Sequence, residues 1–539
     1  MTTLTPPPPE LDVVDPDVTP GPDLTPPPVG RNLMTIPWIA RSLRSGWYPK
    51  IFQIPVAAVF GLVAYQLLVG PDVAHENAGT ALMWVLWWPV IPIVFVLLGR
   101  FWCAVCPFGA ISDFAQKWVG VNRPVPNFLK NYGIWIIDAS FLAITWADHV
   151  WGVVESPWGS GVLLLLLTTA VIASGALFQR RTFCRYLCFL GGLSGNYART
   201  GMVELRADSG ICKTCKAKAV CYNGNDKVAG CPLFTFPRTM EDSANCNLCA
   251  NCIKSCPNDA IQVRLRKPTS ELWFITKPKI EQSMLAMAIM GIVLIQNITM
   301  LEVWNSVLAQ IEALTGITSY AVIFTVAFAV AVSVPVGLLA LASRIAAGRN
   351  LEDTKMNFAR FGYALIPLDV AAHLAHNLFH LLAEGGSVYY TVANLFGAGV
   401  SGDPALMSTG TIQVLQFALL ALGIAGSIYT AKRISYRRYR TAARRRSTLT
   451  PYVVIIALLG AINVWMFLLP MPTACEQWAP PSRSSPSHRD PRRPTHACAP
   501  LDGTRDDHGP IHTHGAPSRH RRRRPGRHLR RRHPVQGRP

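Results

Sequence analysis

Residues 246–257 read Cys-Asn-Leu-Cys-Ala-Asn-Cys-Ile-Lys-Ser-Cys-Pro. Three closely spaced thiolates can wrap one face of an iron–sulfur cubane, each meeting a different iron. The fourth, Cys256, stands past a short helical turn, and Pro257 turns the chain away. Upstream lies a looser copy, Cys212-x2-Cys215-x5-Cys221-x9-Cys231, which also ends in Cys-Pro at Pro232. The two runs predict a small module that binds two [4Fe–4S] clusters.

The tighter run has the spacing of bacterial ferredoxins, in which the fourth cysteine serves the other cluster. By that analogy Cys212, Cys215, Cys221 and Cys256 hold one cluster, and Cys231, Cys246, Cys249 and Cys252 hold the other. An unswapped pairing is the alternative. Zinc also takes four cysteines from paired CxxC motifs, but two overlapping triplets with two Cys-Pro endings favour iron–sulfur. Twelve of the 14 cysteines fall between Cys103 and Cys256. Such clustering points to metal or redox chemistry on a reducing side rather than to disulfides.

Outward from the module the chain turns apolar. Half its residues are hydrophobic and 15% are charged, against about 25% charged in soluble chains. Apolar blocks at 51–70, 81–99, 132–153, 161–178, 283–301, 319–342, 361–383, 411–430 and 451–470 are each about the length a bilayer requires. No Lys or Arg falls between Lys50 and Arg100, Lys130 and Arg180, Lys279 and Arg344, or Arg360 and Lys432. Each gap covers two blocks and the loop between them. Residues 432–446 carry eight Lys/Arg and no acid. The positive-inside rule then places the N-terminus, the 100–130 loop, the 179–282 segment and the 432–446 loop in the cytoplasm. A bacterial cytoplasmic (inner) membrane is the expected location.

The formal charge of +20 does not point to nucleic acid. Residues 480–539 hold 15 Arg and 4 Asp, which accounts for +11 of it, and the rest flanks the apolar blocks. That tail has no Lys and 8 of the 13 His. It reads as a disordered basic segment or as an out-of-frame translation of GC-rich sequence, and no function is assigned to it.

Two further cysteine pairs end helical hairpins: GRFWCAVCPFGAIS at 99–112 and RRTFCRYLCFLGGLS at 180–194. The similarity suggests an internal repeat that delivers Cys103, Cys106, Cys184 and Cys188 to one membrane face. A third cluster, redox-active dithiols, or a soft metal such as Cu(I) are the candidate uses. With the cassette behind them, these motifs resemble the NosR/NapH family of polyferredoxin-type membrane proteins over roughly residues 45–265. The resemblance implies quinol- or flavin-linked electron transfer that supports an exported enzyme or its metal-site maturation. Phe189 stands where that family's motif has Pro, and five helices follow the cassette.

The block at 361–383 carries a polar stripe. Asp369, His373, His376, His380 and Glu384 recur at steps of four, three, four and four, which puts them on one helical face. Ionisable groups at membrane depth line a cavity, a proton path or a cofactor site. Haem b ligation, with His149 from another helix as second ligand, competes with a quinone site or proton relay, and with a structural hydrogen-bond network. Pro367 predicts a kink.

The expected fold is an all-α polytopic membrane protein with about nine transmembrane helices and an inserted cytoplasmic ferredoxin-like module. Its parts are a disordered Pro-rich tail at 1–45, a four-helix membrane domain at 46–196, the module at 197–282, a five-helix membrane domain at 283–472 and the basic tail at 473–539. The expected function is electron transfer, as a carrier or oxidoreductase component, between a quinol pool or cytosolic donor and a redox partner. The alternative is an assembly factor that reduces or delivers metal such as copper to an exported metalloenzyme. Membrane lipid and donor and acceptor proteins are the expected partners.

Overall fold

The computed structural model describes residues 30–217, 219–350 and 352–470. The basic tail at 473–539 and the start of the Pro-rich segment lie outside the described residues. The first membrane unit contains α1 (Lys50–Val69), α2 (Trp88–Leu98), α3 (Pro107–Val119), α4 (Asn127–Trp151) and α5 (Pro157–Leu177). Ahead of α2 the chain runs through a π-helical stretch, Ala81–Trp87. Pro89 and Pro92 remove two helical donors there, and the ladder opens to the wider pitch beside them. After the short α6 (Phe189–Ala198) comes the module, and then α7 (Ile280–Thr299), α8 (Tyr320–Asn350), α9 (Ile366–Ala383), α10 (Thr409–Arg438) and α11 (Ala442–Leu468).

All nine apolar blocks are helical, but among the described residues seven helices are long and apolar enough to cross a bilayer: α1, the run Ala78–Val119, α5, α7, α8, α10 and α11. The other two blocks fall on α4 and α9. They carry Asp138, Asp148 and His149, and Asp369 with three histidines, and those polar groups lower their hydropathy. Backbone groups have no partner in lipid except within the helix, which is why these segments are helical at all. Helix α7 is the axis of the second unit, with 78% of its apolar stretch buried. Its neighbours are α8, α9 and α4.

The module is built on β1 (Val203–Ala207) and β2 (Ile261–Leu265), antiparallel with Leu205 opposite Val263. Leu205, Ile253, Ile261 and Val263 form its small core. Residues 30–45 depart from the expected disordered tail. A helix at Pro37–Arg44 follows a turn capped by Asn32, and Leu33, Met34 and Leu43 pack on the module core. Arg44 pairs with Asp259 at 2.9 Å, and the Leu265 N–H donates to the Arg31 carbonyl. Those apolar side chains come after the Pro-rich run, so the composition of the first 29 residues gave no sign of them.

Buried ion pairs brace the module where it joins the end of α6. Arg266 reaches Glu271 and Glu204 and donates to the carbonyls of Ala198 and Gly201. Arg199, at the end of α6, pairs with Asp242 at 3.1 Å and donates to Gln282.

Candidate metal centres

The twelve cysteines gather in three groups of four. In the module, Asp208 caps the short helix Ser209–Lys213 that carries Cys212. Cys221 sits on Val220–Asn223, and Cys256 closes Asn251–Ser255. Burial and then the neighbouring Cys256 raise the thiols of Cys212 and Cys221, and Cys215 is also within their electrostatic reach. Asn258 Nδ2 donates to Cys215 Sγ at 3.2 Å, and the Ala260 N–H donates to Cys256 Sγ at 3.4 Å.

The second group is Cys231, Cys246, Cys249 and Cys252. Leu248 (φ 56°) and Ala250 (φ 61°) take left-handed conformations in the tight wrap. The alternation turns backbone N–H groups inward, as in anion-binding nests. Leu248 N–H bonds the Cys246 sulfur and Asn251 N–H the Cys249 sulfur. Thr235 N–H donates to Cys231 Sγ at 3.3 Å. Burial pushes the Cys246 thiol up to about 12 and the Cys249 thiol up to about 11. Such groups become thiolates near neutral pH only against a strong cation. Cys252 is raised by burial, then by Cys249, Cys246 and Cys231, and finally by Cys221 of the first group. The two groups are therefore neighbours.

The third group sits where both membrane hairpins end. Cys103 lies on Trp102–Val105, and Cys106 precedes Pro107 at the start of α3. Cys184 lies on Thr182–Tyr186, and Cys188 precedes α6. Burial raises Cys188, followed by the charges of Cys184, Cys106 and Cys103. Phe189 starts α6 without Pro and leaves this convergence intact.

Two arginines cradle this group. Arg181 donates to both Asp113 oxygens, at 3.0 and 2.6 Å, and to the Cys103 carbonyl at 2.8 Å. It lies within reach of Cys184 and of Cys249 in the second group. Arg100 is 2% exposed. It donates to Cys103 Sγ at 3.3 Å, to the Cys184 carbonyl at 3.1 Å and to the Ala244 carbonyl in the module. Among the described residues no carboxylate pairs with it. A buried cation is costly unless an anion offsets it, and four thiolates around iron or another soft metal would be that anion.

Among the described residues no three His, Cys, Asp or Glu side chains converge tightly enough for a single metal ion. A four-cysteine zinc site, with bonds of about 2.3 Å, needs its sulfurs roughly 3.8 Å apart. A cubane meets each thiolate at a different iron and spreads them further.

The stripe is also in place. Asp369, His373, His376 and Asn377 are buried in α9, and His380 and Glu384 are half-buried. Just before Pro367 the helical run tightens into a 3-10 turn at Tyr363–Leu365, where the proline removes the N–H that would bond the Tyr363 carbonyl. Tyr197 at the end of α6 meets His373 Nδ1 at 2.8 Å. His376 Nδ1 meets Asn297 Oδ1 at 2.8 Å, and His380 Nδ1 meets Glu384 at 3.2 Å. Both Asp369 oxygens are buried without a partner. His149 lies within electrostatic reach of His376 but stacks on Phe324 at 4.8 Å, with Nδ1 on the Thr145 carbonyl. A small cavity of about 10 Å³, room for a single water, adjoins His376 and Asn297.

Aromatic rings join the third cysteine group to the stripe. Phe189, next to Cys188, lies 6.3 Å from Trp88, and Trp88 lies 6.1 Å from His373. Sequence reasoning missed Arg100, Arg181, Trp88, Tyr197 and Asn297. One signal was available: Arg100 and Arg181 each stand three residues before the first cysteine of their hairpin motif.

Residues 80–126 and 160–203 match the 4Fe-4S binding domain family. These stretches hold Cys103, Cys106, Cys184 and Cys188. The chain is 25% identical to the candidate electron transport protein YccM of Escherichia coli (strain K12), over 40% of this chain. The match spans 64% of that relative's length. No solved structure matches the chain. Two hairpin ends of this multi-helix protein thus carry the pattern of a 4Fe-4S binding domain.

Proposed function

We propose that the protein transfers electrons through three [4Fe–4S] clusters that run from the module into the membrane. Cys212, Cys215, Cys221 and Cys256 hold the outermost, Cys231, Cys246, Cys249 and Cys252 the middle one, and Cys103, Cys106, Cys184 and Cys188 the innermost. The cluster supplies one-electron chemistry when bound, and the protein tunes it through hydrogen bonds, charge and burial. The N–H groups of Leu248, Asn251, Thr235 and Ala260 and the guanidinium of Arg100 do that tuning here. The relative's printed name, electron transport, supports the same reading.

The observation that carries the proposal is Arg100, a buried cation among four thiols that pairs with no carboxylate among the described residues. The positive-inside pattern supports a cytoplasmic module and N-terminus on a bacterial inner membrane. The donor is a quinol pool or a cytosolic protein, and the acceptor is a second redox protein. The hydrocarbon core is about 30 Å thick, so exchange with the far side requires carriers or substrates along the Trp88–His373 line. The stripe from Asp369 to Glu384 handles protons.

The test is the double variant Cys103→Ser/Cys184→Ser, purified anaerobically. Its iron content falls from about twelve to about eight per chain, and the EPR signals of the module clusters persist. Unchanged iron would remove the innermost cluster. Copper bound stoichiometrically by a variant that lacks the eight module cysteines would favour the metal-delivery reading.

A further inference from the structure

Of the three cysteine groups, the outermost has an open face. Ile211, Lys213, Thr214 and Lys216 alternate with Cys212 and Cys215 and are exposed, as are Pro257 and Asn258 beyond Cys256. The other two groups are enclosed. Asn247 and Ala250 are buried between the cysteines of the middle group, and Ala104, Val105 and Phe183 are buried beside those of the innermost. The groups also run in order. Cys221 lies within electrostatic reach of Cys252 in the middle group, and Arg181 lies within reach of both Cys249 and Cys184. The outermost group is therefore the end of the series away from the membrane hairpins, where a soluble protein can come close.

That face is basic. Residues 212–238 carry five Lys/Arg against one acid, Asp226. Lys213 and Lys216 each follow a cysteine of the group, and the exposed Arg238 lies within electrostatic reach of Cys212. Two nearby acids are engaged: Asp208 accepts from the N–H groups of Gly210 and Ile211, and Asp259 pairs with Arg44 at 2.9 Å. Ile211, 40% exposed, adds an apolar contact point beside Cys212. An apolar point with a basic rim suits a small transient interface, in which charge steers the encounter and few contacts hold the complex. Anionic lipid headgroups carry the same sign of charge as an acidic protein. Position favours the protein, because these lysines alternate with the cysteines at the end of the series away from the hairpins.

We propose that an acidic, soluble one-electron carrier protein docks on this face, with Lys213, Lys216 and Arg238 against its carboxylates and Ile211 against its apolar centre. This docking rests on the electron-transfer reading above and selects a cytosolic protein as the exchange partner of the outermost group. Binding, rather than turnover, is what reports it.

The test uses the full chain, purified anaerobically and held in nanodiscs of zwitterionic lipid. The probes are two acidic carriers, a [2Fe–2S] ferredoxin and a flavodoxin. Saturable binding of at least one is expected at about 0.1 M salt, where charges act over roughly 10 Å, and it weakens about tenfold or more by about 1 M. Lys213→Glu/Lys216→Glu also weakens it by about tenfold or more. Arg440→Glu/Arg446→Glu, at exposed positions of the basic loop at 432–446, leaves it unchanged. Binding of neither carrier, equal affinity in the first variant, or an equal loss in the second would overturn the proposal. So would chemical acylation of Lys213 and Lys216 that is blocked by phosphatidylglycerol in the nanodisc and not by either carrier, which would assign the face to lipid. Iron and sulfide assays on the same samples separate the two readings. Full clusters without carrier binding defeat only this proposal, and charge-sensitive binding to a protein without labile sulfide defeats only the electron-transfer reading.

Discussion

Replacing Arg100 by Gln removes one buried positive charge beside the innermost cysteine group. The Nε atom stands 3.3 Å from Cys103 Sγ, and the side chain is 2% exposed, so water screens it little. With the added electron roughly 8 Å from the guanidinium and an effective dielectric of about 20, the lost attraction is about 2 kcal/mol, or about 90 mV for one electron. The sign is fixed: without the cation the cluster is harder to reduce, so its potential falls. Arg100→Lys keeps the charge and gives up the fixed fork that also holds the Cys184 and Ala244 carbonyls. Its potential moves by less than half as much. The assay is an EPR-monitored redox titration of the anaerobic protein, with the innermost signal assigned by its loss in Cys184→Ser. An Arg100→Gln protein with full iron and an unchanged or raised potential would refute the reasoning.

Three further outcomes follow from the same contacts. Glu271→Ala leaves the nearly buried Arg266 with Glu204 alone, and should loosen the module by about 3–5 kcal/mol; hydrogen exchange across 203–207 and 261–265 would rise in that variant and stay at the wild-type level if the pair is idle. Burial opposes ionisation of Asp242, yet Arg199 beside it holds its carboxyl below the usual carboxylate range. A depressed carboxyl stabilises above its unfolded value near 3.9 and loses that contribution as pH falls through the lower folded value. Proteolysis of the module joint should therefore accelerate below about pH 4 in the wild type, and Asp242→Asn should flatten that acid dependence. Asp369→Asn removes no hydrogen bond, since both carboxylate oxygens lack partners. Its unfolding midpoint should hold or rise, while proton-coupled turnover with quinol falls; a drop of several degrees would show that Asp369 is structural instead.

The sequence was most legible where chemistry and spacing coincide. The Cys-Pro runs at 212–232 and 246–257 fall between β1 and β2, whose small core packs around Leu205 and Val263. All nine apolar blocks became helices, since lipid leaves the backbone no other partner. Among the described residues hydropathy alone supports seven spans, because α4 and α9 hold buried ionisable groups, Asp138, Asp369, His373 and His376. The packing of Leu33, Met34 and Leu43 on the module was hidden by the Pro-rich run before them. Tyr197, Trp88 and Asn297 were illegible for another reason. Each acts across tertiary contacts of 79 to more than 170 residues in sequence separation, which no local pattern records. Arg100 and Arg181 were legible in principle, through their common offset in the two hairpin motifs. The histidine periodicity that suggested haem was legible, but the partners of His373 and His376, Tyr197 and Asn297, were not.

The central claim is that three four-cysteine groups each hold a cubane. Iron and acid-labile sulfide, measured per chain on protein purified anaerobically in detergent, test it most directly. The account predicts about twelve of each, with nearly all the iron in the Mössbauer signature of [4Fe–4S] centres. About eight would confine the clusters to the module and leave Arg100 without its anion. Zinc in place of iron, with no labile sulfide, would contradict the account altogether.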